Sequence, residues 1–501
     1  MKIKNLFFPS LPFCGVMAPV LRQFAKSTPA KPANGRASYD AIDTYIEQKM
    51  CSLNIPGVSL AVVEGDRIVH LRGFGKARPG GEAPTPQTPF FIGSLTKSFT
   101  AMAIMQLVEA GKVELDEPVQ RYLPWFRVAD PQASAQITVR HLLNQTSGIP
   151  MNVGLENLGD FDNRPDALER RVRDMSIVKL KYPVGSKFEY NNANYNILGL
   201  IAEAASGEPY SRYVQNHIFN PLEMSHSFTS KADSQQHGLA VGYRYWFGQP
   251  IPAPNLEVPL NALPSGQLIC SAEDIAHYLI AQLNGGCYGN TRILSEAGID
   301  EMHNGAAKIK EMGLSLGSYA MGWIEEKIGQ SRIISHSGIV PDFGGFMAIV
   351  PEQKKGIVLL YNANHAMMKM TFDEFGLHAA QLLAGEKPAA DKLGAAPWLM
   401  RSMLLIPIPQ IALFATSLRQ LNHWRANSKA SLRRRRKQHA LLPLALNLLP
   451  AVTLVPLMGK MRGFIELFMP DYAWLSRICG GFAMLWSFLR TGWILRSWRK
   501  G

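Results

Sequence analysis

The sequence predicts an α+β fold in which one β-sheet is built from both ends of a large domain, followed by a helical membrane region. Strand-like patterns occur near the two ends of residues 38–390, with helical segments and loops between them. Three apolar stretches and the net positive charge of the chain lie within residues 398–501. We therefore divide the chain into an export signal over residues 1–27, a linker over residues 28–37, the α+β domain and the membrane region.

The first part of the domain is predicted to contain a helix, a hairpin and a second helix. Apolar residues spaced three and four apart over Ile42–Met50 predict an amphipathic helix. Val58–Val63 and Arg67–Leu71 flank a Glu-Gly-Asp turn, which is typical of a β-hairpin. The segment from Ser94 to Gly111 is rich in Ala, Met and Leu and carries few charges. We expect it to form a helix that is buried on most sides.

The last part of the domain is predicted to return to the sheet. Three strand-like runs, Arg332–Ser335, Gly345–Val350 and Gly356–Tyr361, follow one another closely. Leu377–Leu383 then predicts a closing helix. The middle of the chain, up to about residue 325, is interpreted as a mixture of helices and loops.

The net positive charge of the protein lies in its C-terminal region. The whole chain has a net charge of +13, and residues 398–501 carry 16 Lys and Arg against two acids, a net of +14 (16 − 2). That leaves −1 for residues 1–397. The basic residues lie mostly between apolar segments, which indicates a lipid partner and argues against a nucleic-acid partner. The spacing of the five cysteines fits no metal site, and we expect neither a metal nor a cofactor.

The two ends of the chain predict export and membrane anchoring. Two lysines precede a mostly apolar run over Leu6–Leu21, which is typical of an export signal, although a disordered apolar start is the alternative. Three apolar stretches follow the domain: Ser402–Leu418, His439–Met458 and Ile478–Leu495. Because about 20 apolar residues span a bilayer, these stretches predict about three transmembrane helices.

The distribution of basic residues predicts the orientation of these spans. Eight positive charges lie in the loop between the first and second stretches, and three lie in the loop between the second and third. The positive-inside rule places residues 419–438 and the C-terminus in the cytoplasm. The α+β domain is then expected outside the cell membrane, in the extracytoplasmic space. A nucleic-acid or targeting patch is the alternative interpretation of the basic run.

A serine and a lysine at the predicted start of the buried helix could form a nucleophile and its base. A serine hydroxyl needs a neighbouring base to attack a carbonyl at neutral pH. Residues three apart share a helix face, so Lys97 can reach Ser94. Burial makes a lysine easier to deprotonate. The backbone N–H of Ser94, at the helix start, is also free to bind an oxyanion.

No single short motif decides the function, because each one occurs more than once. Ser94–Lys97, Tyr190–Asn192 and His336–Gly338 fit the patterns Ser-x-x-Lys, Tyr-x-Asn and His-x-Gly. The same patterns also occur at three places to which we assign no role: Ser176–Lys179, Tyr288–Asn290 and His303–Gly305. Order along the chain and structural setting must therefore distinguish a site from coincidence.

Taken together, the motifs resemble those of a known family. Phe91–Lys97, Ile137–Leu143 with Thr146-Ser147-Gly148, Phe188–Asn192 and His336–Gly338 occur in the order found in penicillin-recognising serine hydrolases. That group comprises class C β-lactamases, DD-peptidases (penicillin-binding proteins) and related esterases. The resemblance covers roughly residues 38–385. It implies a mainly antiparallel sheet flanked by helices, with a helical subdomain and the site between them.

The resemblance also implies roles for individual residues. Ser94 would be acylated, and Lys97 and Tyr190 would share the base and proton-shuttle work, with the dominant partner left open. Asn192 would hold the amide side chain of the substrate, and the strand edge would be lined by His336, Ser337 and Gly338. The backbone N–H groups of Ser94 and Ile339 would form the oxyanion hole. Each of these residues could instead have a purely structural role, which is the better interpretation of any one of them alone.

One departure from the family pattern bears on the substrate. Many β-lactamases and transpeptidases have a lysine at the position of His336, where it helps to hold a carboxylate. A neutral histidine binds an anion less well. We expect a membrane-anchored serine hydrolase acting on an ester, a small amide or a D-amino-acid peptide, which could derive from the cell wall. The alternative is a slow or inactive receptor of the same fold that binds penicillin or peptidoglycan fragments.

Overall fold

The centre of the structure, a computed structural model, is an eight-stranded antiparallel sheet. The model describes residues 39–155, 161–162, 164–254, 256, 259–311, 314–388, 396–426 and 462–499. The strand order is β2-β1-β8-β7-β6-β5-β4-β3. The strands are β1 (Gly57–Glu64), β2 (Arg67–Gly75), β3 (Ala307–Glu311), β4 (Leu314–Tyr319), β5 (Ile324–Ile328), β6 (Ser331–Val340), β7 (Phe343–Val350) and β8 (Lys355–Tyr361).

The sheet is built from both ends of the domain, as the sequence predicted. β1 pairs antiparallel with β8, and Val58 lies opposite Tyr361. All eight residues of β7 are buried, as are all but the last of β1. Strands that are apolar on both faces require cover on both faces, and here helices supply it.

Seven of the described helices have twelve or more residues. They are α1 (Asp40–Leu53), α2 (Thr96–Glu109), α3 (Asn192–Ser206), α4 (Ala272–Leu283), α5 (Lys369–Leu383), α6 (Pro407–Ala426) and α7 (Pro470–Arg499). Helices α1 and α5 share one hydrophobic core with the sheet, whereas α2, α3 and α4 belong to the other core. The α+β fold, with an antiparallel sheet flanked by helices and a helical region between the strand segments, is therefore confirmed.

Nine short helices lie in the described part of the region between β2 and β3. They have four to eight residues each, and several of them pack against α3. Their bounds are Val119–Tyr122, Pro131–Gln136, Val139–Leu143, Met151–Leu155, Ala167–Arg173, Tyr210–Val214, Lys231–Gln236, Leu263–Gly266 and Glu296–His303. A further short helix, Ala396–Ser402, precedes α6.

The interpretation of all residues up to about 325 as helices and loops was wrong in one part. That region contains β3, β4 and the start of β5, which complete one side of the sheet. The residues of β5 are half-buried or exposed, and three of its five side chains are charged. A strand near a sheet edge therefore lacks the continuous apolar run by which the central strands could be recognised.

A small hairpin connects the domain to the C-terminal region. Gly242–Trp246 pairs with Gln249–Ala253, and we call this segment the aromatic hairpin. Phe247, at its turn, packs with Met403, Leu475 and Cys479 in a separate hydrophobic cluster. The C-terminal helices therefore contact the α+β domain.

A buried acidic residue strengthens this contact. Asp471, in the first turn of α7, lies 2.9 Å from His365 Nε2, and both side chains are fully buried. Asp471 also accepts a hydrogen bond from the backbone N–H of Phe247 at 2.9 Å. A polar pair buried this completely and fully hydrogen-bonded requires the helix and the domain to fit together closely.

One described helical segment is long and apolar enough to cross a membrane. It is Ala396–Arg419, which includes the first predicted stretch and has a mean hydropathy of 1.5 over its best window. Length and composition alone are weak support for a span. The third predicted stretch belongs to α7, and the second stretch and the export signal lie outside the described residues.

Candidate active site

The candidate nucleophile, Ser94, lies in a tight turn against the sheet. Gly93–Leu95 forms a single 3₁₀ turn that leads into α2. Gly93 has a φ of +56°, and a Cβ atom there would lie 2.5 Å from the backbone nitrogen of Ile339. Because glycine has no Cβ, it can adopt this conformation at such close approach. The turn therefore holds Ser94 directly beside β6.

Lys97 lies one helical turn after Ser94 and points back to it. Its Nζ is 3.0 Å from Ser94 Oγ, 2.8 Å from Asn192 Oδ1 and 2.6 Å from the carbonyl oxygen of Ser265. The lysine is completely buried. Burial holds the pKa of Lys97 well below its usual range, because the low-dielectric surroundings disfavour the charged amine.

The low pKa of Lys97 determines how its three contacts divide into donors and acceptors. A neutral amine has two N–H groups and one lone pair. Asn192 Oδ1 and the carbonyl oxygen of Ser265 can only accept, so they take the two N–H groups. The lone pair of Nζ is then directed at the hydroxyl of Ser94. The geometry thus allows Lys97 to accept the proton of Ser94.

Asn192 is the first residue of α3, and Tyr190 lies two residues before it. Asn191, between them, caps α3, since its side chain accepts a hydrogen bond from the N–H of Ala193. Burial and the neighbouring Tyr319 raise the pKa of Tyr190 well above its usual value, whereas a hydrogen bond with Ser94 lowers it. Tyr190 therefore stays protonated beside the nucleophile.

Gln145, which the sequence did not identify, fixes this segment. Its Oε1 accepts hydrogen bonds from the backbone N–H of Asn191 at 2.9 Å and from Asn194 Nδ2 at 2.6 Å. Its carbonyl oxygen accepts a third from the N–H of Glu189 at 2.9 Å. Gln145 is fully buried and has a φ of +59°, a strained conformation for a non-glycine residue. These bonds position both Tyr190 and Asn192.

Strand β6 forms one side of the site. β5 pairs with β6 only as far as Ser335, so the edge of β6 from His336 onward is not covered by that strand. Gly338 packs against the nucleophile turn, where a Cβ atom would lie 2.1 Å from the carbonyl oxygen of Ile92. Ser337 and Ile339 are half-buried beside it. A substrate backbone could pair with such an edge.

His336 is buried among aromatic rings. Its ring centroid is 6.2 Å from that of Tyr190 and 6.1 Å from that of Tyr319. Burial, followed by the nearby Lys97, lowers the pKa of His336 to about 3. The imidazole is therefore neutral at physiological pH, and it carries no charge with which to bind an anion.

The structure brings all the candidate site residues together around one point. Ser94, Lys97, Tyr190 and Asn192 are linked by contacts, and His336–Ile339 lies against the nucleophile turn. The sequence missed Gln145, Tyr319 and the carbonyl oxygen of Ser265. Gln145 directly precedes the Thr-Ser-Gly segment of the family resemblance, which is the one signal that could have identified it.

A family model matches most of the α+β domain. The model of the family described as Beta-lactamase matches residues 42–382, more than half of the chain. The chain belongs to the beta-lactamase family. Proteins of this family are typically serine hydrolases that bind small-molecule or peptide substrates such as β-lactams.

Two curated relatives align with this chain over only part of their own length. Protein flp of Staphylococcus aureus strain MW2 is 30% identical over 329 residues, which are 65% of this chain and 64% of that protein. Penicillin-binding protein 4 of Amycolatopsis lactamdurans is 33% identical over 249 residues, 49% of this chain and 64% of that protein. The chain thus spans less than two thirds of either relative.

Solved structures support the fold. The octameric penicillin-binding protein homologue from Pyrococcus abyssi has a TM-score of 0.61 and 28% identity, covering 71% of this chain and 79% of that chain. A class C beta-lactamase has a TM-score of 0.59 over 72% of this chain and 100% of that chain. Its identity is 21%, so this second similarity shows the fold alone.

Proposed function

We propose that this protein is a membrane-anchored serine hydrolase whose catalytic domain lies outside the cytoplasm. It forms an acyl-enzyme at Ser94 with an ester, a small amide or a D-amino-acid peptide, which could come from the cell wall. The observation that carries the proposal is the contact between Ser94 Oγ and the buried, neutral Nζ of Lys97. A neutral amine aimed at a serine hydroxyl is the arrangement of an activated nucleophile.

Acylation begins with proton transfer from Ser94 to Lys97. As Oγ bonds to the carbonyl carbon of the substrate, Nζ accepts the hydroxyl proton and becomes an ammonium. The developing oxyanion is bound by the backbone N–H groups of Ser94 and Ile339. Tyr190 is still protonated at this stage, so its hydroxyl can donate a proton to the leaving group.

The cycle closes when the protons return. Lys97 passes its extra proton to the Tyr190 phenolate, which restores both groups to their resting state. Water then attacks the acyl carbon and gives one proton to Lys97, and this proton returns to Ser94 Oγ as the acyl bond breaks. Asn192 positions Lys97 through the 2.8 Å contact between its Oδ1 and Nζ, and it presents its amide group to the substrate.

Membrane anchoring is supported by the surface of the C-terminal helices. Most of the large apolar side chains that are exposed in the described residues belong to this region. Exposed apolar patches of this kind mark contact with a membrane or with another protein. Examples are Trp398, Leu405, Ile408, Ile411 and Phe488.

The proposed number of crossings is supported by two contacts with the aromatic hairpin. Met403, at the start of the first stretch, and Leu475, just before the third, belong to the same cluster around Phe247. Both positions must then lie on the side of the membrane that holds the catalytic domain. Two crossings between them satisfy this requirement, as the three-span topology proposes.

The test is intact-mass spectrometry of the full-length protein in detergent, because the tail contacts the domain. Protein is incubated with a reactive fluorophosphonate or with a penicillin, alongside Ser94→Ala. We expect a mass gain from the fluorophosphonate that is absent in Ser94→Ala. Ser98→Ala, a change in the next turn of the same helix, is the matched control and keeps the adduct.

The persistence of each adduct distinguishes the candidate functions. A stable penicillin adduct supports recognition of cell-wall peptides, and a transient one supports β-lactamase activity. Failure of folded protein to react with either reagent contradicts the hydrolase and leaves the non-catalytic receptor of the same fold.

A further inference from the structure

The hydrogen bonding of His336 fixes which ring nitrogen carries the proton. Nδ1 lies 2.6 Å from the carbonyl oxygen of Ser337. A carbonyl oxygen can only accept a hydrogen bond, so Nδ1 is the protonated nitrogen. Because the buried ring is neutral, Nε2 then has a lone pair and no proton.

This Nε2 atom is buried without a partner. His336 is 3% exposed, and Nε2 makes no hydrogen bond with any described residue. Buried acceptors are nearly always hydrogen-bonded in folded proteins, and an unpaired one near a nucleophile needs an explanation. A substrate group that enters the site would supply the missing partner.

We propose that His336 Nε2 accepts a hydrogen bond from an uncharged N–H or O–H group of the substrate. The site would then favour acyl compounds with a neutral donor at this position, such as a carboxamide, over compounds with a carboxylate. The inference rests on the proposed function of Ser94 and adds the class of substrate.

A carboxylate is disfavoured here for two physical reasons. Its oxygen atoms are acceptors only, so they would face the lone pair of Nε2 without a proton between them. The surroundings also offer little compensation, because the nearby ammonium group of Lys369 is paired with Asp373. The rings of Tyr190 and Tyr319 flank the imidazole, and the Nζ atom of Lys97 is already occupied by three contacts. Moving an anion from water into contact with these aromatic rings costs free energy.

The experiment compares two thioesters that differ in one group. Both carry the same benzoylglycyl acyl part, and the thiol leaving group ends in either a carboxylate or a primary carboxamide. Turnover by the full-length protein in detergent is followed by released thiol, and each kcat/KM is divided by the rate of hydroxide-catalysed hydrolysis. We expect a preference of at least about tenfold for the carboxamide, the size of one hydrogen bond to a buried group.

Two variants of His336 should affect this preference differently. His336→Lys introduces an ammonium and should turn the preference toward the carboxylate, whereas His336→Gln keeps a neutral acceptor and should retain it. His237→Lys places the same new charge at an exposed histidine and should leave the ratio unchanged. The wild-type ratio decides the question even where a variant does not fold.

The possible failures can be told apart. Equal turnover of both thioesters, or a preference for the carboxylate, overturns the role of His336 and leaves the Ser94 hydrolase intact. Turnover that survives in Ser94→Ala, or an absence of turnover by wild-type protein with no fluorophosphonate adduct, overturns the proposed function and this inference with it.

Discussion

At the scale of single residues, the chemistry of the site depends on where one amine is buried. Lys97 has no exposed surface, and its Nζ contacts two uncharged acceptors and the hydroxyl of Ser94. Among the described residues Lys97 forms no ion pair, so its burial favours the neutral amine that the proposed function requires. Burial within α2 is what makes an ordinary lysine suitable for this role.

The pH dependence of acylation should reveal this base. Because burial lowers the pKa of Lys97, the amine is neutral and active above that value and protonated and inactive below it. We expect kcat/KM for a neutral ester to rise with pH through the lowered pKa of Lys97 and to form a plateau that begins well below the usual pKa of a lysine. His336, with a pKa of about 3, should contribute no inflection above about pH 5.

Lys97→Arg provides the matching variant for that profile. A guanidinium stays protonated at every accessible pH, so it cannot accept the proton of Ser94. We expect kcat/KM to fall by about 100-fold or more across the whole range. A variant that retained the wild-type plateau would assign the base to Tyr190 instead.

At the scale of single elements, the segment from Glu189 to Asn194 depends on one distant side chain. Gln145 accepts three hydrogen bonds from this segment and is itself held in a left-handed conformation. The segment carries Tyr190 and Asn192, and its geometry is therefore determined by a residue more than forty positions earlier in the sequence.

Gln145→Ala should loosen this segment. The change leaves the N–H of Asn191 and the Nδ2 of Asn194 without their acceptor, and each buried unpaired group costs about 1–3 kcal/mol. We expect the free energy of unfolding to fall by about 2–4 kcal/mol and kcat to fall by roughly tenfold, measured by thermal unfolding and ester turnover. Gln132→Ala, at an exposed position, should stay within about 0.5 kcal/mol of wild type.

Elements with a local sequence pattern were predicted, and those without one were missed. The hairpin of β1 and β2 and the helix after Ser94 were predicted correctly, because their apolar runs and turn residues are local signals. β5 was missed because a half-exposed strand has no such run. Gln145 and the carbonyl oxygen of Ser265 were not predictable, since their roles arise only from contacts between distant segments.

At the scale of the whole molecule, the C-terminal helices are joined to the α+β domain by a specific contact. Asp471 and His365 are fully buried against each other, and the aromatic hairpin packs against Met403 and the first turns of α7. Helices α6 and α7 also contact each other through Phe414 and Trp486, whose ring centroids are 4.3 Å apart. The C-terminal helices are therefore part of the packed structure.

Asp471→Ala should show how much this contact stabilises the protein. The change leaves His365 Nε2 and the N–H of Phe247 buried without an acceptor. Breaking a buried pair from one side costs about 3–5 kcal/mol, so we expect the Tm of the full-length protein in detergent to fall by roughly 5–10 °C. Asp66→Ala removes an acid that is 83% exposed and should leave the Tm nearly unchanged. An equal Tm for both variants would show that the tail is only loosely attached.

The pairing of β1 with β8 has a consequence for how the protein is made. Val58 partners Tyr361, 303 residues later (361 − 58). A ribosome adds about 5–20 residues per second, so β1 waits about 15–60 s for its neighbour. The sheet cannot be completed during that interval, so β1 and β2 lack their neighbouring strand while the rest of the domain is made. The topology itself delays closure of the sheet until nearly all of the domain has been synthesised.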